Sequence, residues 1–278
     1  MKIPKYWAKG HAPFQRSDGK RSEIECWKWS NVSQQDAEAK GKARAEELAK
    51  KLVAGEPLNR YGYADRPLRE EAVQSIRGGD LAVVTRNLYG ALVLNAAKAM
   101  FIDVDFPPPS RGGGLLGRLF GKKPADPEPA AVAQVQAWAA QHADLAMRIY
   151  RTCAGLRCLI TNKIFDPTDS QTIDLLSSIG SDPLYVRLCQ AQACFRARLT
   201  PKPWRCGLKM PPTRFPWLKP DQETQFRRWQ SSYEQVIPRF GVCRFVKQMG
   251  PVQVHPEIRP ILTLHDHFVC APAERPLA

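Results

Sequence analysis

No stretch of this chain stays apolar for the ~20 residues that a membrane-crossing helix needs, so the sequence offers no transmembrane span. Met1-Lys2-Ile3-Pro4-Lys5-Tyr6-Trp7 lacks the apolar core of a secretion signal, and a cytoplasmic location is the expectation that follows. There is no C-x-x-C, no G-x-x-x-x-G-K-[ST] and no H-E-x-x-H, which argues against common zinc modules, P-loop ATPases and metalloproteases. No internal repeat is found, so solenoid and array architectures are set aside. Acid is scarce: 27 Asp and Glu stand against 41 Lys and Arg. The resulting net charge of +14 favours polyanionic partners such as nucleic acid, nucleotides or an acidic membrane surface.

What is present is a chain of 278 residues, 44% of them hydrophobic, enough for a sizeable core. The eight cysteines lie mostly among apolar residues and read as buried thiols rather than a disulfide framework. Zinc held by Cys189, Cys194 and Cys206 would need an unusual ligand spacing.

Apolar periodicity gives a coarse organisation. Glu23 to Ser30 alternates as a half-buried strand, and Ser33 caps a helix that stops near Gly55. Arg60, Tyr61, Tyr63 and Arg66 mix guanidinium and aromatic groups in a loop. Asp65 and Pro67 open a short helix to about Ile76. Leu81–Arg86 and Ala91–Leu94 form strands around a turn at Asn87–Gly90, and the apolar run through Phe101 is expected as the third strand of that meander. Residues 107–130, rich in Pro, Gly, Lys and Arg, are expected to be a mobile loop. Ala130 to Arg148 reads as an amphipathic helix, and Arg148 to Thr161 as two strands around Ala154-Gly155. Residues 168–240 are expected either to extend the sheet or to form a helical and basic extension. In it, Arg196, Arg198, Lys202 and Arg205 are the expected nucleic-acid contacts. Pro260 to Phe268 is expected to be a strand, which would put His265 and His267 on one face near Cys270 and make a zinc site conceivable there. The whole is an α+β domain: a central mixed or antiparallel sheet, RRM-like in its core, with helices mainly on one face.

The stretch that organises this plan is Ala99-Met100-Phe101-Ile102-Asp103-Val104-Asp105-Phe106-Pro107. A buried strand emerges into two carboxylates one residue apart, and prolines stop it. Residues i and i+2 of a strand share a face, so Asp103 and Asp105 lie side by side. Such a pair repels unless a cation neutralises it, and hard oxygen ligands suit Mg²⁺ or Mn²⁺. A cap and a solvated strand end would account for the two residues equally.

The order apolar strand to D-x-D, helix, strand, small-residue turn, strand resembles the catalytic core of archaeo-eukaryotic primase-polymerases, including the polymerase domain attached to bacterial DNA-repair ligases. The likeness covers roughly residues 80–165. The family's hhhDhD matches Phe101-Ile102-Asp103-Val104-Asp105. Its Ser/Gly turn and Gly-Leu-His match Thr152-Cys153-Ala154-Gly155-Leu156-Arg157, with Arg157 where the family has His. The resemblance implies a nucleotidyltransferase that uses Mg²⁺ or Mn²⁺, a nucleoside triphosphate and nucleic acid. Asp103, Asp105 and Asp266 would be the catalytic metal ligands, with Asp166, Asp169 and Asp174 as competitors for the third place. Arg151, Thr152, Gly155 and Arg157 would bind the nucleotide phosphates. A non-catalytic nucleic-acid-binding or interaction protein on the same scaffold is the alternative, and a D-x-D glycosyltransferase a minor one.

Overall fold

The computed structural model describes residues 1–58, 67–107, 126–270 and 272–278. Within them the chain is α+β, with ten strands in three antiparallel sheets and six α-helices. No helix among the described residues is long and apolar enough to cross a membrane.

The first sheet is a hairpin, β1 (Tyr6–Gln15) with β2 (Arg21–Ser30), packed against helix α1 (Gln34–Val53). Ser33 caps α1 by accepting from the Asp36 backbone N–H, as the capping pattern predicts. Ala37, Gly41, Ala45 and Ala49 recur every four residues and line its buried side. That stripe lets the backbones touch: a Cβ on Gly10 would sit 1.9 Å from the Gly41 carbonyl oxygen.

The second sheet runs β3 (Glu71–Ile76), β4 (Ala82–Arg86), β5 (Leu92–Ala96), β9 (Phe195–Arg198). The third runs β10 (Cys243–Met249), β7 (Met147–Thr152), β8 (Gly155–Ile160), β6 (Phe101–Asp105). Helix α2 (Glu128–Gln141) covers one face of the third sheet with Val135 and Trp138. Helices α3 (Ser170–Ser178), α4 (Pro183–Gln192), α5 (Pro220–Val236) and α6 (Arg259–Val269) complete the fold. Both larger sheets share one apolar core, in which Phe101, Tyr150, Leu159, Ile160 and Phe195 are fully buried. At about 25 cal/mol per Å² of apolar area, such side chains give the fold most of its driving force.

Three expectations are overturned. Glu71–Ile76 is an edge strand and not a helix, because β4 offers it a ladder that local propensity does not foresee. The acidic strand β6 does not continue the β4–β5 meander. It crosses to the third sheet and pairs with β8 at the edge, while β9 takes the place beside β5. Arg259–Val269 is a helix: Ile258, Ile261, His265 and Val269 are buried at spacings of three and four, a helical pattern, and Pro260 stands in its first turn. The expected aromatic-basic loop at 60–66 lies outside the described residues, as does most of the expected mobile loop, at 108–125.

Candidate functional site

Asp103 and Asp105 stand on one face of β6, as the two-residue period requires. Register carries that face across the sheet: Asp103 faces Arg157 on β8, Arg157 faces Tyr150 on β7, and Tyr150 faces Phe245 on β10. The free edge of β6 is closed by the junction of α3 and α4. The Asp182 N–H donates to the Asp103 carbonyl at 2.8 Å, the Ser181 hydroxyl to the same oxygen at 3.2 Å, and the Tyr185 hydroxyl to the Phe101 carbonyl at 2.9 Å. An edge strand so covered cannot recruit another chain, and its two carboxylates are held at a fixed height.

A group of cations acts on the pair. Arg198, at the end of β9, and Lys202 and Arg205, on the turn that follows, act electrostatically on the acids and on one another. Burial, then Asp103, then Asp182 raise the Asp105 carboxyl above its usual range, against the pull of Lys202 and Arg205. Burial, then Arg157 and Arg205, lower the Arg198 guanidinium to about 10. Burial, then Arg198 and Arg205, also lower Lys202. Among the described residues, no ion pair within 4.0 Å joins Asp103 or Asp105 to any of these cations. Acid crowds acid and cation crowds cation, so a metal ion would relieve one group and a phosphate the other.

The other expected residues are distributed differently. Arg157 is buried and points Nη1 to the Arg198 carbonyl at 2.9 Å and to His265 Nε2 at 3.4 Å. Arg151 lies one register step away, on the opposite face from Arg157. There it pairs with Glu128 at 3.1 Å and lies over the Phe106 ring, so the two arginines do not clamp one anion. The Thr152 hydroxyl is spent on the Gly155 carbonyl at 3.1 Å. Gly155 does permit a close approach, but of β6: a Cβ there would lie 2.1 Å from the Val104 carbonyl oxygen. Arg196 is committed to the buried Glu70 at 2.7 Å, and Glu70 also accepts from the Thr85 hydroxyl.

Asp266 does not join the acid pair. On α6 it binds Arg148 at 2.9 Å, the Tyr150 hydroxyl at 2.7 Å and His265 Nδ1 at 3.0 Å. Burial pushes its carboxyl up, but these partners more than offset that and leave it below the usual range. His265 is fully buried, and burial lowers its imidazole to about 4, so it is neutral at pH 7. Its contacts fit one tautomer, with Nδ1–H donating to Asp266 and Nε2 accepting from Arg157. Helical geometry separates His265 from His267, which removes the paired-histidine zinc arrangement. Of the competitors for third acid, Asp166 accepts from Thr168 and Asp169 caps α3. Cys189, Cys194 and Cys206 are buried thiols whose proton affinity burial raises.

Sequence reasoning missed Asp182, which caps α4 beside the acid pair, and the His265 link between Arg157 and Asp266. Asp182-Pro183 is a legible helix start, but its neighbour on β6 is not. It also missed His11, Glu23 and Glu25, whose ligand atoms lie within 4.8 Å of one another on the exposed face of the first hairpin. Glu23 and Glu25 are i and i+2 on β2, and Lys9 and His11 already offset Glu25 there. It is the only such group of three among the described residues, so Asp103, Asp105 and Asp266 do not form one.

No family model, curated protein or solved structure matches the chain.

Proposed function

We propose that this protein binds a nucleoside triphosphate with Mg²⁺ or Mn²⁺ and transfers a nucleotidyl group to nucleic acid, as a diverged primase-polymerase-like enzyme. One observation carries the reading: two carboxylates on β6 and a cluster of cations on and just after β9, in the neighbouring sheet, act on each other without pairing. The donor set fits the metal, since carboxylate oxygens two residues apart on a firm strand suit a hard, octahedral ion. Asp103 and Asp105 would hold it, and when bound it would stabilise charge on the attacking and leaving oxygens. Arg198, Lys202 and Arg205 would neutralise the phosphates and orient the α-phosphorus toward a strand hydroxyl, with pyrophosphate as the leaving group. Arg157 would support Arg198 from beneath, through its carbonyl. The remaining positive charge of the chain fits a nucleic-acid partner.

A second reading is a binding protein that holds the same ligands without turnover. Engagement of Asp266 by Arg148 and Tyr150 favours it, because the expected third carboxylate is then spent elsewhere, and Asp182 beside the pair is spent capping α4.

Equilibrium binding of labelled nucleotide in a Mn²⁺ titration tests the site, and strand extension tests turnover. Metal-dependent binding that Asp103→Asn abolishes supports the site. Extension of a primer then distinguishes enzyme from binder. Nucleotide binding that ignores both Mn²⁺ and Asp103→Asn refutes the assignment.

A further inference from the structure

Among the described residues Trp204 is the one tryptophan left exposed, at 46%. It is not loose. It stands on the 3₁₀ turn Pro203–Cys206, whose Cys206 is buried. The Tyr89 ring meets it edge-on, with centroids 5.1 Å apart and planes at 89°. The turn that carries Tyr89 is fixed, because the Asn87 side chain accepts from the Tyr89 and Ala91 backbone N–H groups at 3.0 and 3.1 Å. Lys202 Nζ lies 5.6 Å from the Trp204 ring centre. The two cations flanking Trp204 in sequence, Lys202 and Arg205, are those that act on Asp105.

A rigid, half-exposed indole between two such cations has the composition of a single-strand stacking platform. The ring takes a base of any identity, and the cations take the adjoining phosphates. We infer that Trp204, braced by Tyr89, stacks a base of single-stranded nucleic acid and so leads the strand to the acid pair. The inference rests on the nucleic-acid reading above, but not on metal or turnover. Trp204 and Tyr89 act by position and do not touch the reacting atoms.

The test is fluorescence anisotropy of a short labelled oligothymidylate across a salt series without divalent metal. A parallel titration uses labelled thymidine triphosphate with Mn²⁺. Trp204→Ala is expected to weaken oligonucleotide binding by roughly 5- to 100-fold, the range that one base–aromatic stack supplies. Trp204→Phe is expected to restore most of that loss. The salt slope is expected to stay as in the unaltered protein for both, and to fall by about one for Arg205→Ala. Thermal melting of each variant shows that the fold is kept. Oligonucleotide affinity equal in Trp204→Ala and the unaltered protein overturns the inference and leaves the acid-pair assignment standing. So does a loss confined to the triphosphate titration, which would mean that the ring stacks the nucleotide's base instead. If the unaltered protein binds no oligonucleotide at any salt, the stacking role is refuted whatever the Mn²⁺ titration gives.

Discussion

Acidification should strip stability from this protein over a window set by His265. The side chain is fully buried, and burial brings it to about 4 from the ordinary 6.5. An unfolded chain therefore takes up a proton below about pH 6.5 that the folded chain refuses until about pH 4. Stability from this group is complete above that upper value and falls as pH drops toward the lower one. The whole window corresponds to about 3 kcal/mol, of which about 2 kcal/mol should be lost between pH 7 and pH 5. The lowered carboxylates, Asp266 among them, protonate below this range and do not mimic it. His265→Asn is the matching variant, since its side-chain amide can still donate toward Asp266 but does not titrate. It will carry a packing cost at every pH, so the slope is the readout. Urea unfolding at intervals from pH 7 to pH 5 should show the unaltered protein losing about 2 kcal/mol more than His265→Asn. Parallel loss in the two proteins would refute a buried, neutral imidazole.

Two further changes probe the frame of the site. Gly155→Ala places a methyl group against the Val104 carbonyl and forces β6 off β8. A loss of about 1–3 kcal/mol in urea is expected, together with weaker Mn²⁺-dependent nucleotide binding, because Asp105 pairs with Gly155 and moves with β6. Glu70→Ala strips the buried partner from Arg196 and should cost about 3–5 kcal/mol by the same measurement. A cost below about 1 kcal/mol would mean that Arg196 finds water or another acceptor.

The acid pair was legible because everything that defines it is local: an apolar run, alternating carboxylates and a proline stop. The strand–turn–strand of β7 and β8 was legible for the same reason, with the turn expected at Ala154-Gly155 and found one residue earlier, at Cys153-Ala154. Pairing was not. Whether Phe101–Asp105 follows β5 or crosses to β8 depends on partners some fifty residues later, and no period in the strand itself records that choice. Pro260–Phe268 was misread because its short apolar run into a carboxylate looks like the Asp103/Asp105 strand, and His265, counted as polar, completes the buried helical stripe. The four expected nucleic-acid contacts divide on the same ground. Arg196 and Arg198 are equivalent in sequence, yet Glu70 pairs with the first, while the second is buried near Arg157 and Arg205 with no acid in ion-pair reach among the described residues. A distant acid decides between them.

The β6 edge, stitched to Ser181, Asp182 and Tyr185, has a consequence for folding order. The acidic strand, the arginine that faces it and the turn bearing Trp204 are spread over about a hundred residues of chain. Contacts so far apart in sequence close late. A chain arrested partway could own its secondary structure and still lack the assembled acid and cation groups. If the proposed triphosphate binding holds, ligand uptake would gauge completed assembly, and by mass action the ligand would lock the last closure in place.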